Sequence, residues 1–96
     1  MKIYISGKIS GLDRQETIDK FEEASEYLKH CTFEVSNPME FCEYKDGKTW
    51  ENYMIECVAE LIKCDAIYML NDWSQSKGAR IEYAIAKEMG LKISFE

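Results

Sequence analysis

A chain of 96 residues, 46% of them hydrophobic, has the size of one small domain, and we expect residues 1–96 to share a single core. The net charge of −6 argues against duplex nucleic acid as a partner, because such binding depends on basic patches. No run approaches the roughly 20 apolar residues of a membrane span, and residues 1–15 lack a signal pattern, so we expect a cytoplasmic protein with no membrane partner.

The four cysteines are Cys31, Cys42, Cys57 and Cys64, and none of them forms a C-x-x-C pair. The sequence contains one histidine. Because zinc sites favour closely spaced ligand pairs, we expect no metal site. Without a secretory signal, we expect the thiols to be reduced.

The first half of the chain predicts a strand at residues 3–5, a glycine-containing turn at 6–11 and a helix capped by Asp13 or Thr17. Residues 32–35 predict a second strand, which Asn37-Pro38 ends, and a loop follows through residue 48. The inner face of the first helix is predicted from residues at helical spacing: Ile18, Phe21, Ala24, Ser25 and Leu28.

The second half of the chain predicts a helix at residues 50–63, a strand at 66–70, a helix at 76–89 and a strand at 91–95. Gly90 is expected to end the last helix as a C-cap. The inner face of the helix at 50–63 is predicted to carry Met54, Val58, Leu61 and Ile62.

This alternation of strands and helices, with continuous apolar strands, predicts a three-layer α/β domain of the Rossmann or flavodoxin-like type. Right-handed crossovers favour a parallel four-stranded sheet in the order 2-1-3-4. Strands one and three then become neighbours whose following helices leave to opposite faces, and ligands bind beyond the carboxyl ends of such strands. The two segments expected there, 6–11 and 71–78, are the richest in serine and glycine.

Glu82 is unusually placed on the last helix. At about 100° per residue, Ile81, Ile85 and Met89 form one apolar stripe, and Glu82 borders it with small residues one turn away. A carboxylate among small residues beside the core is well placed to face a bound molecule. From the pattern alone, a surface residue on the rim of the domain stays open as the alternative.

Ser76 lies six residues before Glu82, which is roughly 9 Å along a helix axis. That span suits a nucleotide whose phosphate meets Ser76 and the free N–H groups of the helix start, with its sugar near Glu82. A carboxylate beside an anomeric carbon can attack C1′ as the base departs. This carboxylate chemistry needs no metal or organic cofactor, so we expect none.

The chain resembles the nucleoside 2-deoxyribosyltransferase-like superfamily, and looks most like its small DUF4406-like branch, which begins with a YISGxxSG-type strand and turn. The matching pieces are residues 4–11, 36–38, 50–54, 64–67 and 73–82. The resemblance implies a Rossmann-like domain that cleaves or transfers the N-glycosidic bond of deoxynucleosides or their 5′-monophosphates. A small-molecule nucleoside or nucleotide is therefore the expected partner.

The resemblance also implies roles for single residues. Glu82 matches the nucleophilic glutamate of the superfamily. Ser76 matches a serine that contacts phosphate in the deoxynucleoside 5′-monophosphate N-glycosidases, which favours a phosphorylated ligand. Tyr4, Ser6 and Gly7 match the tyrosine of the first strand and its loop, so Tyr4 joins Glu82 as a candidate catalytic residue.

Two departures from the superfamily's pattern bear on catalysis. Active relatives carry an aspartate eight residues before the strand-three aspartate, where this chain has Cys57 before Asp65. Glu56 projects to the polar face, so Asp72 is our alternative proton donor. Relatives also often continue beyond the point that corresponds to Glu96, where they complete a neighbouring subunit's site. A non-catalytic nucleotide-binding or sensing module is therefore the alternative function, and a structural subunit of a larger assembly ranks last.

The remaining candidates come from the two loops. Lys8, Ile9 and Ser10 lie in the loop expected to close over the phosphate, and Lys8 could offset its charge, although an exposed loop lysine is equally common. Trp73 could stack on a base or serve in packing. Gly78 lies in the first turn of the last helix. We also expect a homo-oligomer, because the core is small, aromatic residues are numerous and the superfamily shares sites between subunits.

Overall fold

The computed structural model describes residues 1–42 and 45–96, so part of the predicted loop at 38–48 lies outside the described residues. The strands are β1 (Lys2–Ser6), β2 (Glu34–Ser36), β3 (Ala66–Met69) and β4 (Lys92–Phe95). The helices are α1 (Arg14–His30), α2 (Pro38–Phe41), α3 (Trp50–Leu61) and α4 (Lys77–Met89), with a short 3₁₀ turn at Trp73–Gln75.

The four strands form one parallel sheet in the order β2-β1-β3-β4, which confirms the predicted topology. Successive residues of β1 and β3 point to opposite faces, so two cores form. On one face Ile3 and Ile5 pack with Phe21 of α1. On the other face Tyr4 and Ile67 belong to the core that includes residues of α3 and α4. The result is the expected three-layer α/β arrangement.

Caps fix the ends of the two helices that follow the central strands. Asp13 caps α1 by accepting a hydrogen bond from the Glu16 amide at 3.0 Å, while Thr17 is buried one turn later. Ser76 caps α4 by accepting from the Ala79 amide at 3.1 Å, and Gly90 ends that helix with a φ of 73°. These contacts confirm the predicted start of α4 and its glycine C-cap.

The predicted inner faces of α3 and α4 were wrong in part. On α4 the buried residues are Ala79, Glu82 and Ala86, whereas Ile81 and Met89 are 37% and 47% exposed. Small side chains allow the helix to lie close to the sheet, and this close contact displaces the longer apolar stripe to the flank. On α3 the buried residues are Cys57 and Leu61, and Ile62 is exposed.

The short helix α2 was also missed, because four residues are too few for a periodic pattern. Asn37 caps it by accepting from the Met39 amide at 3.0 Å, and Pro38 occupies its first turn. Within the described residues, no helix combines the length and the apolar composition needed to cross a bilayer.

Candidate functional site

A cleft of about 500 Å³ follows the carboxyl ends of β1 and β3, where the predicted topology placed the ligand site. Its polar and glycine lining comes from the loop after β1 and from the start of α4. These residues include Gly7, Ser10, Gly11, Ser76 and Gly78. The cleft is large enough for a small organic ligand.

The apolar lining of the cleft comes mainly from α2 and α3. It includes Pro38, Met39, Trp50, Tyr53 and Met54. Trp50 and Tyr53 lie at the start of α3, which Thr49 caps. Aromatic residues directly after a capping threonine were the sequence signal for this part of the lining. The contribution of α2 was not predicted, because that helix was read as loop.

Glu82 also lines the cleft, although it is only 5% exposed. Its Oε2 accepts a hydrogen bond from the Tyr4 hydroxyl at 2.5 Å, and its Oε1 accepts from Ser6 Oγ at 2.7 Å. Tyr4 and Ser6 are two positions apart on β1, so their side chains reach the same face of the sheet. Two hydroxyls from one strand therefore hold both oxygens of a carboxylate supplied by α4.

Burial raises the pKa of Glu82 to about 6, although the hydrogen bonds from Tyr4 and Ser6 work in the opposite direction. Burial also raises the pKa of Tyr4 well above its ordinary value, and the nearby charge of Glu82 adds to the effect. At neutral pH the phenol is therefore a hydrogen-bond donor, and most of the Glu82 carboxyl groups are ionised. The site thus presents a desolvated carboxylate to the cleft.

Two thiols line the cleft as well. Cys57 is buried, and burial raises the pKa of its thiol to about 12, so it stays protonated. Cys42 Sγ donates a hydrogen bond to Glu56 Oε2 at 3.1 Å, and burial raises the pKa of the Cys42 thiol too. Glu56 pairs with Lys48 at 2.7 Å away from the cleft lining, as its predicted position on the polar face implies.

The structure brings together most of the predicted site. Gly7, Ile9, Ser10, Ser76 and Gly78 line the cleft that contains Glu82. Tyr4 and Ser6 contact Glu82 directly and lie behind it. Three of the predicted residues, Lys8, Asp72 and Trp73, do not line this cleft.

Asp72 does not fit its predicted role as a proton donor. Its Oδ2 pairs with Lys20 Nζ at 2.6 Å, and its Oδ1 accepts from the Lys8 amide at 3.0 Å. Burial raises the pKa of Asp72, but the hydrogen bonds from Lys20 and the Lys8 amide outweigh it and hold the pKa below its ordinary value. An ionised carboxylate that accepts these bonds has no proton to donate.

Trp73 and Lys8 likewise have other partners. The Trp73 ring packs against Tyr83 and Phe95, with centroids 4.8 and 5.9 Å apart, so it takes the packing role. Lys8 is engaged through its backbone, since its amide donates to Asp72 and its carbonyl accepts from Lys20. Neither side chain is placed in the lining of the cleft.

Arg14 is a lining residue that sequence reasoning missed. It opens α1 immediately after the Asp13 cap, and it is the one Lys or Arg among the described residues that line the cleft. Its position just after the serine- and glycine-rich turn was the available signal. Over the same described residues, no group of three or more His, Cys, Asp or Glu side chains is arranged to hold a metal ion.

Two comparisons with known proteins give a match. The family model described as a domain of unknown function, DUF4406, matches residues 1–95. The chain is also similar in structure to a 2-deoxyribosyltransferase from the psychrotolerant bacterium Bacillus psychrosaccharolyticus, with a TM-score of 0.73 and 16% identity over 99% of this chain and 71% of that one. At that identity the likeness shows the fold. No curated protein matches the sequence significantly.

Proposed function

We propose that this chain, which belongs to the DUF4406 family, cleaves or transfers the N-glycosidic bond of deoxynucleosides or their 5′-monophosphates. The observation that carries the proposal is Glu82, a buried carboxylate that faces a cleft while two hydroxyls fix both of its oxygens. The similarity in fold to a 2-deoxyribosyltransferase supports the choice of a nucleoside substrate. The apolar lining from α2 and α3 offers a surface for a planar base.

In the proposed reaction an ionised oxygen of Glu82 attacks C1′ of the sugar. The bond from C1′ to the base nitrogen breaks, and the base leaves with the bonding electron pair. Water then attacks C1′ of the ester intermediate, and the bond from C1′ to the Glu82 oxygen breaks, which regenerates the carboxylate. The proton that the water loses neutralises the departed base. A second base in place of water completes a transfer. Tyr4 and Ser6 keep the carboxylate oriented through both steps.

A phosphorylated substrate is the form that the cleft supports best. Arg14 supplies a positive charge to the lining, and Ser76 Oγ accepts from the Ala79 amide, so its own hydroxyl proton is available for donation to a ligand. The start of α4 adds backbone N–H groups that favour an anion. We propose that these groups receive the 5′-phosphate.

The proposal is tested by chromatography of base release from deoxynucleosides and their 5′-monophosphates. Wild type is compared with Glu82→Gln and with Glu88→Gln, which changes an exposed glutamate on the same helix. We expect release by wild type and by Glu88→Gln, and a loss on the order of 10³-fold or more in Glu82→Gln. Equal release by Glu82→Gln would reject Glu82 as the nucleophile.

The role of the phosphate is tested in the same assay with Arg14→Gln. Because a hydrogen bond to a charged group is worth more than a neutral one, we expect KM for the 5′-monophosphate to rise about tenfold. KM for the corresponding deoxynucleoside should stay the same. An equal rise for both substrates would remove Arg14 from the phosphate site.

A non-catalytic nucleotide-binding module is the second candidate function. It is favoured because neither candidate position supplies an acid that could protonate the departing base. Cys57 is a thiol, and Asp72 is paired with Lys20. This function predicts that a nucleotide raises the melting temperature and that no base is released after long incubation. Release of base by wild type would exclude it.

A further inference from the structure

Two charged side chains outside the cleft tie the loop after β1 to two other elements. Lys20 Nζ, on α1, donates to the Lys8 carbonyl at 2.8 Å and pairs with Asp72 Oδ2 at 2.6 Å. Asp72, in the turn after β3, accepts from the Lys8 amide at 3.0 Å. Both backbone groups of Lys8 are therefore held by one ion pair.

The position of Lys8 gives this arrangement its importance. Lys8 lies between Gly7 and Ile9, and both of these residues line the cleft. Holding the amide and the carbonyl of Lys8 orients the two peptide groups that flank it, because each peptide group is planar. The ion pair thus fixes the loop at 7–11 from its outer side, while neither Lys20 nor Asp72 lines the cleft.

The ion pair between Lys20 and Asp72 is expected to order the loop at 7–11 rather than to stabilise the whole fold. The Lys20 and Asp72 side chains are 27% and 28% exposed, so water screens their attraction less than at the open surface. The Lys20 ammonium also lies 5.4 Å from the centre of the Phe21 ring. Partly exposed pairs of this kind contribute little to global stability. We therefore expect the effect of this pair in the loop that it holds.

We infer that Lys20 and Asp72 are positioning residues that hold the loop at 7–11 in its ligand-binding geometry and thereby set the affinity of the cleft. The chemical step at Glu82 does not involve them. The identity of the ligand as a nucleotide rests on the proposed function, whereas the order of the loop is measured without any ligand.

The first test measures binding of each of the four deoxynucleoside 5′-monophosphates by calorimetry in a Glu82→Gln background. Asp72→Asn, Lys20→Met and their double variant are compared with Glu60→Gln, which removes the ion pair between Glu60 and Lys63. We expect Kd to rise about tenfold in each single variant and no further in the double variant, because both changes break the ion pair that holds the backbone of Lys8. Glu60→Gln should keep the original Kd.

Steady-state kinetics then separate positioning from chemistry. With Glu82 intact, Asp72→Asn and Lys20→Met should raise KM for base release and leave kcat within about twofold of wild type. A large fall in kcat with KM unchanged would place Asp72 in the chemical step and overturn the inference. A fall in melting temperature with Kd and KM unchanged would leave the pair a purely structural role and overturn it as well.

Amide hydrogen exchange tests the same inference without a ligand. We expect faster exchange at residues 8–11 in Asp72→Asn and Lys20→Met, with the amides of β1 and β3 unchanged. Unchanged exchange at 8–11 would overturn the inference even if no nucleotide binds. Absence of nucleotide binding to wild type, together with faster exchange at 8–11, would instead reject the proposed function and retain the positioning role.

Discussion

Glu82 is ionised in surroundings that disfavour its charge. Its pKa is raised from 4.5 to about 6 because burial outweighs the two hydroxyl donors. That shift corresponds to about 2 kcal/mol of free energy at neutral pH. Glu82 faces the cleft without the hydration that an exposed carboxylate would keep.

We expect base release to depend on pH through this carboxyl group. The ionised form attacks C1′, so kcat/KM should fall about tenfold for each unit of pH below about 6. Tyr4, whose pKa is raised well above its ordinary value, should not affect the profile near neutrality. The measurement is kcat/KM for base release between pH 4.5 and 8, and a flat profile across pH 6 would contradict the prediction.

Glu82→Gln should stabilise the fold at neutral pH. A raised carboxyl pKa means that the protonated form contributes stability below about pH 4.5, and that this contribution is lost as pH rises through about 6. The neutral amide avoids the loss, so the free energy of unfolding at pH 7.5 should rise by about 2 kcal/mol. Urea unfolding of the variant and of Glu88→Gln measures it. A fall in stability for Glu82→Gln would show that the hydroxyl donors outweigh burial.

The sequence was sufficient to single out Glu82 and Ser76, because helical spacing places the carboxylate among small residues. Spacing alone does not reveal pairing between distant segments. Lys20 lies 52 residues from Asp72, and nothing in the local pattern indicates that it would bind that carboxylate. This one contact argues against Asp72 as the proton donor that was first expected.

At the scale of elements, alternation and apolar runs were enough to predict the parallel sheet and its strand order. The helix faces were harder, because hydrophobic periodicity identifies the most apolar stripe rather than the stripe that packs closest. On α4 the closest stripe consists of Ala79, Glu82 and Ala86. A short helix such as α2 gives no periodic signal, so the part of the cleft that it lines was not predicted.

Substitution by alanine should affect stability differently at Gly7 and at Gly78, two glycines that line the cleft. A Cβ at Gly7 would lie 2.7 Å from Leu70 Cδ1, and Leu70 is fully buried. A Cβ at Gly78 would lie 3.0 Å from Met54 Sδ, at the far end of a flexible side chain. We expect Gly7→Ala to lower stability by about 1–3 kcal/mol, while Gly78→Ala gains helix propensity and loses little. Thermal unfolding of both variants measures this, and equal losses would contradict it.

At the scale of the molecule, β4 forms one edge of the sheet, and several large apolar side chains near it are exposed. Phe95 on β4 and Ile81 and Met89 on α4 are 55%, 37% and 47% exposed. A small domain gains stability by covering such side chains with a second copy of itself. Together these features support the proposal of a homo-oligomer.

Light scattering should therefore give at least the mass of a dimer at micromolar concentration. Ile81→Glu should shift the mass toward that of a monomer, because it introduces a charge among these exposed side chains. Ile55→Glu is the matched control, since Ile55 is exposed on α3 rather than on α4. A monomeric wild type, or equal effects of the two variants, would contradict the prediction.

The four thiols differ in exposure, so they can serve as native sites for chemical labelling. Cys31 is exposed at the end of α1, whereas Cys42, Cys57 and Cys64 are buried. A maleimide dye should attach at Cys31 without any substitution. Slower alkylation of Cys42 and Cys57, read by peptide mass, would report each opening of the cleft and its closure by a bound molecule. Occupancy could then be followed in a variant that performs no chemistry at all.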